Sequence, residues 1–165
     1  MSNKTIQQMI DDLKKLITDK PNLLELPEHG NKLYYNAKSS SEKYFVDFAR
    51  NGHRVKKLTL QLRSGSDKSQ VLLRLDVIGP EHHNPRGNYQ YSDTIIETPH
   101  IHIASYSLYG IKVALPIDAP ESGLRLTKYD VICVQNIVYD FLERINIANR
   151  NQLSICDPEE TSLDI

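Results

Sequence analysis

Hydrophobic and polar residues alternate along much of the chain between residues 24 and 117. The clearest example is the segment 54–63, RVKKLTLQLR, in which three leucines alternate with polar or basic residues. This period of two predicts strands with one buried and one wet face, as in an antiparallel sheet. Six strands are predicted, at residues 32–38, 43–50, 54–63, 71–78, 99–108 and 111–117, with a further short one at 23–26.

Two segments outside this region have apolar residues at helical spacing. The first segment, residues 2–18, carries its apolar stripe at Ile6, Met9, Ile10, Leu13 and Leu16. The second, about residues 127–145, has a longer stripe, and Cys133 is expected to pack beside it. Helices at the two ends of a run of strands favour an α+β fold. We therefore expect a mostly antiparallel sheet of about six strands flanked by an N-terminal and a C-terminal helix.

The chain has 165 residues, which suits one domain with its own core. We expect residues 1–156 to form this α+β domain and the acidic residues 157–165 to be a disordered tail. Two cysteines without a CxxC pair indicate a reducing compartment, so a cytoplasmic location is expected. No apolar run reaches the length of a membrane span, so no membrane partner is expected.

Charge is distributed unevenly along the chain. The formal net charge of −1 gives no sign of nucleic-acid binding by the whole molecule. Between residues 50 and 74, however, seven basic residues accompany a single acid, Asp67. The basic edge 50–63 is therefore a candidate surface for nucleic acid or for a protein partner, and an ordinary solvated face is the alternative interpretation.

Four of the six histidines fall within residues 71–115, at 82, 83, 100 and 102. Residues two apart on a strand share a face, so His100 and His102 are expected to stand together. If strand 71–78 pairs antiparallel with 99–108, Asp76 lies on that same face, and His82 leaves the first strand near them. Zinc prefers tetrahedral nitrogen, sulfur or oxygen ligands. The sequence therefore predicts a zinc site made of His82, His100, His102 and Asp76.

The alternative interpretation of these residues is a polar surface with no ion. In that case the histidines are solvated, and Arg74 and Asp76 are simply charged neighbours on the strand. An HxH pair alone does not distinguish the two interpretations. The second histidine pair and the carboxylate on the same face favour the metal.

The segment from LRLD (73–76) to PHIHI (99–103) resembles a family of short uncharacterised proteins from bacteria and their mobile elements. Their recurring core is LRLD, then GPxHxNPDG, then PHxHI, and the resemblance covers about residues 71–117. It selects His82 over His83 as the conserved position of the motif. Arg86 stands where the family usually has Asp, and the residues after His102 also depart from its pattern. The resemblance implies no established activity.

Two functional hypotheses follow. In the first, the protein is not an enzyme, and zinc pins the 81–98 loop to the sheet to present a surface to a protein partner. The mobile-element character of the resembling family suggests a host defence nuclease as that partner, by analogy with metal-binding anti-CRISPR proteins. In the second, the protein is a ribonuclease toxin of a toxin–antitoxin system. Its histidines would then be the general acid and base, Arg74 would bind phosphate, and Tyr89, Tyr91 or Tyr106 would stack a base.

Overall fold

The computed structural model describes residues 4–52, 57–126 and 133–159 of the chain. Two α-helices lie in this part, α1 (Ile6–Asp11) and α2 (Val134–Arg144), and neither has the length and apolar character needed to cross a bilayer. The strands are β1 (Lys15–Ile17), β2 (Leu23–Glu25), β3 (Lys32–Lys38), β4 (Lys43–Ala49), β5 (Leu58–Ser64), β6 (Val71–Ile78), β7 (His82–His83), β8 (Ile95–Ile96), β9 (His100–Ile103), β10 (Ala114–Pro116) and β11 (Ser154–Cys156).

Seven of these strands form one antiparallel sheet in the order β1-β3-β4-β5-β6-β9-β10. The strands from β3 to β6 follow one another along the chain as a meander, which explains their simple alternating pattern. Two small sheets lie outside it. β2 pairs with β11 in parallel, and β7 pairs with β8 in antiparallel fashion within the predicted 81–98 loop. A mainly antiparallel sheet with two helices fits the expected α+β class.

The two faces of the seven-stranded sheet differ in polarity. On one face, alternate strand residues such as Val46, Phe48 and Leu60 are buried in the core. The helices cover this face, and the ring of Phe48 meets Phe141 of α2 edge-on, with ring centroids 6.4 Å apart. On the other face, here called the open face, most alternate residues are polar or charged, as the sequence pattern predicted, and Phe45 and Ala49 of β4 are the apolar exceptions on that strand.

The N-terminal helix is shorter than predicted. It begins with a capping box between Thr5 and Gln8 and ends at Asp12, whose backbone is extended. The prediction that residues 12–18 are helical is wrong, because Lys15–Ile17 form β1 and pair with β3 at the edge of the sheet. The apolar stripe did not distinguish a helix from a strand at Leu16, which is buried in the strand as it would be in a helix. Leu13, which a helix would bury, is 60% exposed.

The other end of the chain also departs from expectation. The helix is described from Val134 onward, and residues 127–132 lie outside the described part. Cys133 is exposed instead of packing beside the apolar stripe. The chain also continues past α2 into a 3₁₀ turn and β11, so a helix does not close the fold. Asp157 is buried in an ion pair with Arg50. Residues 160–165, for which disorder was also expected, lie outside the described part.

A buried lysine joins the C-terminal ends of the two helices. The ammonium group of Lys14 donates hydrogen bonds of 2.8 Å to the carbonyl oxygens of Ile10, Asp12 and Ile145. Carbonyls at helix ends lack partners within the helix, and a cation there also interacts favourably with the helix dipole. Burial lowers the pKa of Lys14 to about 7. Lys14 therefore fixes both helices to the start of β1.

Replacing Lys14 by Met should leave these three carbonyls without a donor. Hydrogen bonds to charged groups contribute about 1.5–3 kcal/mol each, so we expect Lys14→Met to lower the free energy of unfolding by about 3 kcal/mol. Urea denaturation followed by circular dichroism measures this loss. Lys15→Met, at the exposed neighbouring position, is the matched control and should change stability little. Equal effects of the two substitutions would contradict the structural role of Lys14.

Candidate metal centre

Two neighbouring strands bring the predicted ligands together on the open face. In β6, Arg74 and Asp76 are two residues apart, as are His100 and His102 in β9, so each pair shares a face. The antiparallel register places Asp76 opposite His100 and Arg74 opposite His102. The predicted antiparallel pairing of these two strands is confirmed, and it places Asp76 on the same face as His100 and His102.

The two imidazole rings are buried and held in a defined tautomer. His100 is 1% exposed and His102 0% exposed, because the 81–98 and 105–112 segments fold over this end of the sheet. Nδ1 of His100 lies 3.2 Å from the carbonyl oxygen of Glu97, and Nδ1 of His102 lies 2.8 Å from that of Ile111. A carbonyl only accepts, so Nδ1 carries the hydrogen in each ring and Nε2 of the neutral ring has a lone pair.

Both Nε2 atoms face one carboxylate oxygen. Oδ2 of Asp76 lies 3.0 Å from Nε2 of His100 and 3.3 Å from Nε2 of His102, while Oδ1 accepts a hydrogen bond from Thr59. Burial alone would raise the pKa of Asp76, but its close contacts with the two histidine rings and the charge of Arg74 hold it well below its usual range. Asp76 is therefore a carboxylate at neutral pH.

The guanidinium of Arg74 lies against the same atoms. Its Nε is 3.2 Å from Oδ2 of Asp76, and its Nη2 is 3.1 Å from Nε2 of His102. Burial lowers the pKa of His102, which favours the neutral ring, so Nε2 accepts a hydrogen bond from Arg74 and does not donate one to Asp76. Nε2 of His100 faces Asp76 without such a donor among the described residues, so a bound cation or a shared proton would stabilise this contact.

The three potential ligand atoms of Asp76, His100 and His102 lie within 4.8 Å of one another. His82, in β7, lies beside this cluster: its ring centroid is 4.8 Å from that of His102 and 6.1 Å from that of His100. Its Nε2 lies 2.6 Å from the carbonyl oxygen of Lys112, to which it donates, so its free lone pair is on Nδ1. The structure therefore brings three of the four predicted ligands to one point and leaves His82 at its edge.

Comparison with known proteins identifies the family. Residues 1–147 match the profile of a family of unknown function, DUF6978. The chain belongs to this family. No curated protein and no solved structure shows significant similarity to the chain. Membership of DUF6978 fits the expected resemblance to an uncharacterised family and assigns no activity to these residues.

Two other histidines of this DUF6978 protein, His83 and His29, lie away from the cluster. His83 is exposed and pairs with Asp93 at 2.8 Å. Arg86, which replaces the Asp of the resembling motif, also pairs with Asp93, at 3.1 Å. His29 is exposed in a turn, and His53 lies outside the described residues.

The three tyrosines considered for base stacking make packing and hydrogen-bond contacts within the protein. The hydroxyl of Tyr89 donates to the carbonyl oxygen of Pro85, and its ring packs on Tyr109 at a centroid distance of 5.6 Å. A Cβ at Gly87 would collide with the ring of Tyr109, so this packing requires glycine. Tyr91 and Tyr106 pack against the core.

Two arginines of the basic edge 50–63 form ion pairs within the fold. Arg50 is buried, and its Nη1 and Nη2 lie 2.6 and 3.1 Å from the carboxylate oxygens of Asp157. Arg63 forms a two-point ion pair with Asp47, at 2.5 and 2.8 Å. Residues 53–56 lie outside the described part. Arg50 is therefore not available to a nucleic acid or protein partner.

A buried asparagine holds the 81–98 loop to the sheet without a metal. The side chain of Asn84 accepts a 2.7 Å hydrogen bond from the backbone nitrogen of Ala114, and donates to the carbonyl oxygens of Ala114 and Tyr91 at 2.9 and 3.1 Å. The carboxamide thus pairs with β10 as a further strand would. A single loop asparagine gives no periodic signal, so sequence analysis recognised it only as a motif position.

Asn84→Ala should release the loop and leave buried groups of Ala114 unpaired. Each unsatisfied buried polar group costs about 1–3 kcal/mol, so we expect a loss of about 2–3 kcal/mol in the free energy of unfolding. Protease cleavage within residues 81–98 should also become faster. Asn88→Ala, at an exposed position of the same loop, is the control and should behave as wild type. Unchanged cleavage in Asn84→Ala would show that other contacts hold the loop.

Proposed function

We propose that this DUF6978 protein is a small zinc-binding protein that acts by binding a protein partner and not by catalysis. Asp76, His100 and His102 are the proposed ligands, and His82 is the fourth, reaching the ion through Nδ1. The supporting observation is the convergence of two histidine Nε2 atoms on one carboxylate oxygen, at 3.0 and 3.3 Å.

The donor set and its spacing fit zinc. Zinc bonds to histidine and carboxylate are about 2.0–2.2 Å long, and tetrahedral angles then separate neighbouring ligand atoms by about 3.3–3.6 Å. The separations of the two Nε2 atoms from Oδ2 of Asp76, 3.0 and 3.3 Å, are close to this range. His100 and His102 also donate Nδ1–H to the backbone carbonyls of Glu97 and Ile111, which is the outer-shell contact that orients metal-bound histidines.

The burial of the histidines favours a structural ion over ribonuclease chemistry. A general acid or base must come within hydrogen-bond reach of the substrate proton. His100 and His102 are covered by protein and have both ring nitrogens occupied by protein atoms. In the ribonuclease alternative, only the partly exposed His82 would reach RNA directly.

The ion would act on a surface turn as well as on the sheet. The carbonyls of Ile111 and Lys112 hold His102 and His82, and the turn just before them exposes Leu108 and Tyr109. Ordering this turn would present an apolar surface suited to a protein partner. A host defence nuclease bound in the manner of anti-CRISPR inhibitors is the proposed partner. A cytoplasmic location would keep the two exposed cysteine thiols reduced.

Zinc should stabilise the wild-type protein. At a free concentration one hundred times the dissociation constant, a ligand adds about 2.7 kcal/mol of stability. For a chain of this size we expect a rise in melting temperature of about 5–10 °C. Scanning calorimetry with zinc and with a chelator measures the shift, and the absorption spectrum of cobalt(II) in place of zinc reports tetrahedral coordination.

Asp76→Asn and His102→Ala should abolish the zinc-dependent shift, whereas His83→Ala should keep it, because His83 points to Asp93. If metal-free Asp76→Asn is folded and zinc still stabilises it as strongly as wild type, the assigned site is wrong. RNA cleavage by the wild type that is lost in folded His82→Ala would favour the ribonuclease.

Arg74 should compete with the metal. The guanidinium lies within hydrogen-bond distance of two proposed ligand atoms, so a dication there must displace it and meets its charge. We expect Arg74→Met to bind zinc about tenfold or more tightly than wild type in a chelator competition titration. Arg63→Met, which removes another open-face guanidinium that contacts none of the ligands, is the control. Weaker zinc binding by Arg74→Met would mean that Arg74 supports the site.

A further inference from the structure

A groove of about 890 Å³ crosses the open face, from β3 to the β9 end of the sheet. The strand register aligns its floor in two rows. One row reads Tyr34, Asp47, Gln61, Arg74 and His102 across five adjacent strands. The parallel row one pleat away runs from Lys32 on β3 to His100 on β9. The metal proposal uses only the β6–β9 end of these rows.

The β3 end of the groove presents a fixed aromatic ring. Tyr34 is 62% exposed, and its ring packs edge-on against Phe45, with ring centroids 5.8 Å apart. The guanidinium of Arg63 lies 4.9 Å from the centroid of Phe45, and its ion pair with Asp47 fixes its plane. An exposed ring and a planar cation held in place beside it are the groups on which unstacked nucleobases pack.

The groove carries two lysines beside β3 and β5, and the exposed acid Glu81 lines it after the end of β6. The carboxylates of Asp47 and Asp76 are only 15% and 17% exposed, and each faces a guanidinium. Lys32 and Lys57 also line the groove, and neither makes an ion pair within the described part of the chain. Thr59 lies in the row of Lys32 and Gln61 in the row of Tyr34, and because Nε2 of Gln61 donates to Asp47, its Oε1 is the atom left to accept a further hydrogen bond.

We infer that this groove binds a short single strand of nucleic acid. A base stacks on Tyr34, the phosphates next to it contact Lys32 and Lys57, and Gln61 hydrogen-bonds a base edge. An acidic protein segment would satisfy the lysines but would leave the ring of Tyr34 without a stacking partner. A duplex keeps its bases stacked on one another, so it gains nothing from that ring. The inference goes beyond the metal proposal and does not depend on it.

The test is fluorescence anisotropy of labelled 12-nucleotide RNA and DNA single strands, with the matching duplex and a labelled poly-glutamate peptide as comparisons. Wild type should bind the single strands and bind the duplex more weakly. Two phosphate contacts predict a slope of about −1.4 in log affinity against log salt. Tyr34→Ala should weaken binding about fivefold or more, and Tyr34→Phe should restore it because the phenyl ring still stacks.

Lys32→Gln and Lys57→Gln should each reduce the salt slope by about 0.7, whereas Lys38→Gln, outside the groove on the same strand as Lys32, should leave it unchanged. No single-strand binding by wild type at low salt, or equal binding by Tyr34→Ala, overturns the inference. Tighter binding of poly-glutamate than of either single strand also overturns it and makes the groove a protein site. Zinc-dependent stabilisation is measured separately, so each proposal fails independently.

Discussion

Two imidazole rings and a carboxylate are removed from water on the outer side of a sheet, and their neighbours are arranged to satisfy them. Burial of polar groups without partners is strongly unfavourable. Each ring nitrogen and each carboxylate oxygen therefore needs a hydrogen-bonding or charged partner. The Nδ1–H groups of His100 and His102 donate to backbone carbonyls, and the hydroxyl of Thr59 donates to one oxygen of Asp76. Arg74 supplies positive charge beside them. The segments that cover this end of the sheet are fixed by these same contacts, so the local fold and the site are inseparable.

The sequence was sufficient to predict the part of the site that depends on strand geometry. Alternation put His100 and His102 on one face, and the antiparallel pairing of consecutive strands put Asp76 opposite them. What could not be predicted was how deeply the rings are buried. Their burial depends on loops that fold back from residues 81–98 and 105–112, and loop paths have no periodic signature in sequence.

Fold prediction succeeded and failed for a similar reason. The strands from β3 to β6 form a meander in which each strand buries one face. The two-residue alternation of apolar and polar residues therefore predicts these strands correctly. Near the N-terminus, by contrast, the spacing of Met9, Ile10 and Leu16 satisfies both a long helix and a short helix followed by a strand. The exposed edge of β3 decided between them, because an edge strand gains backbone hydrogen bonds when β1 pairs with it. Such a long-range choice is invisible in a window of eighteen residues.

Both borders of the seven-stranded sheet are closed by side-chain amides. Asn84 pairs with Ala114 of β10, and on the far border the carboxamide of Asn149 exchanges two hydrogen bonds with the backbone of Leu16 in β1. Unpaired edges are the usual templates for strand addition and for fibril growth. These contacts occupy backbone groups at both borders of the large sheet, so strand addition there is disfavoured and a partner of this sheet is expected to dock on a face or a turn.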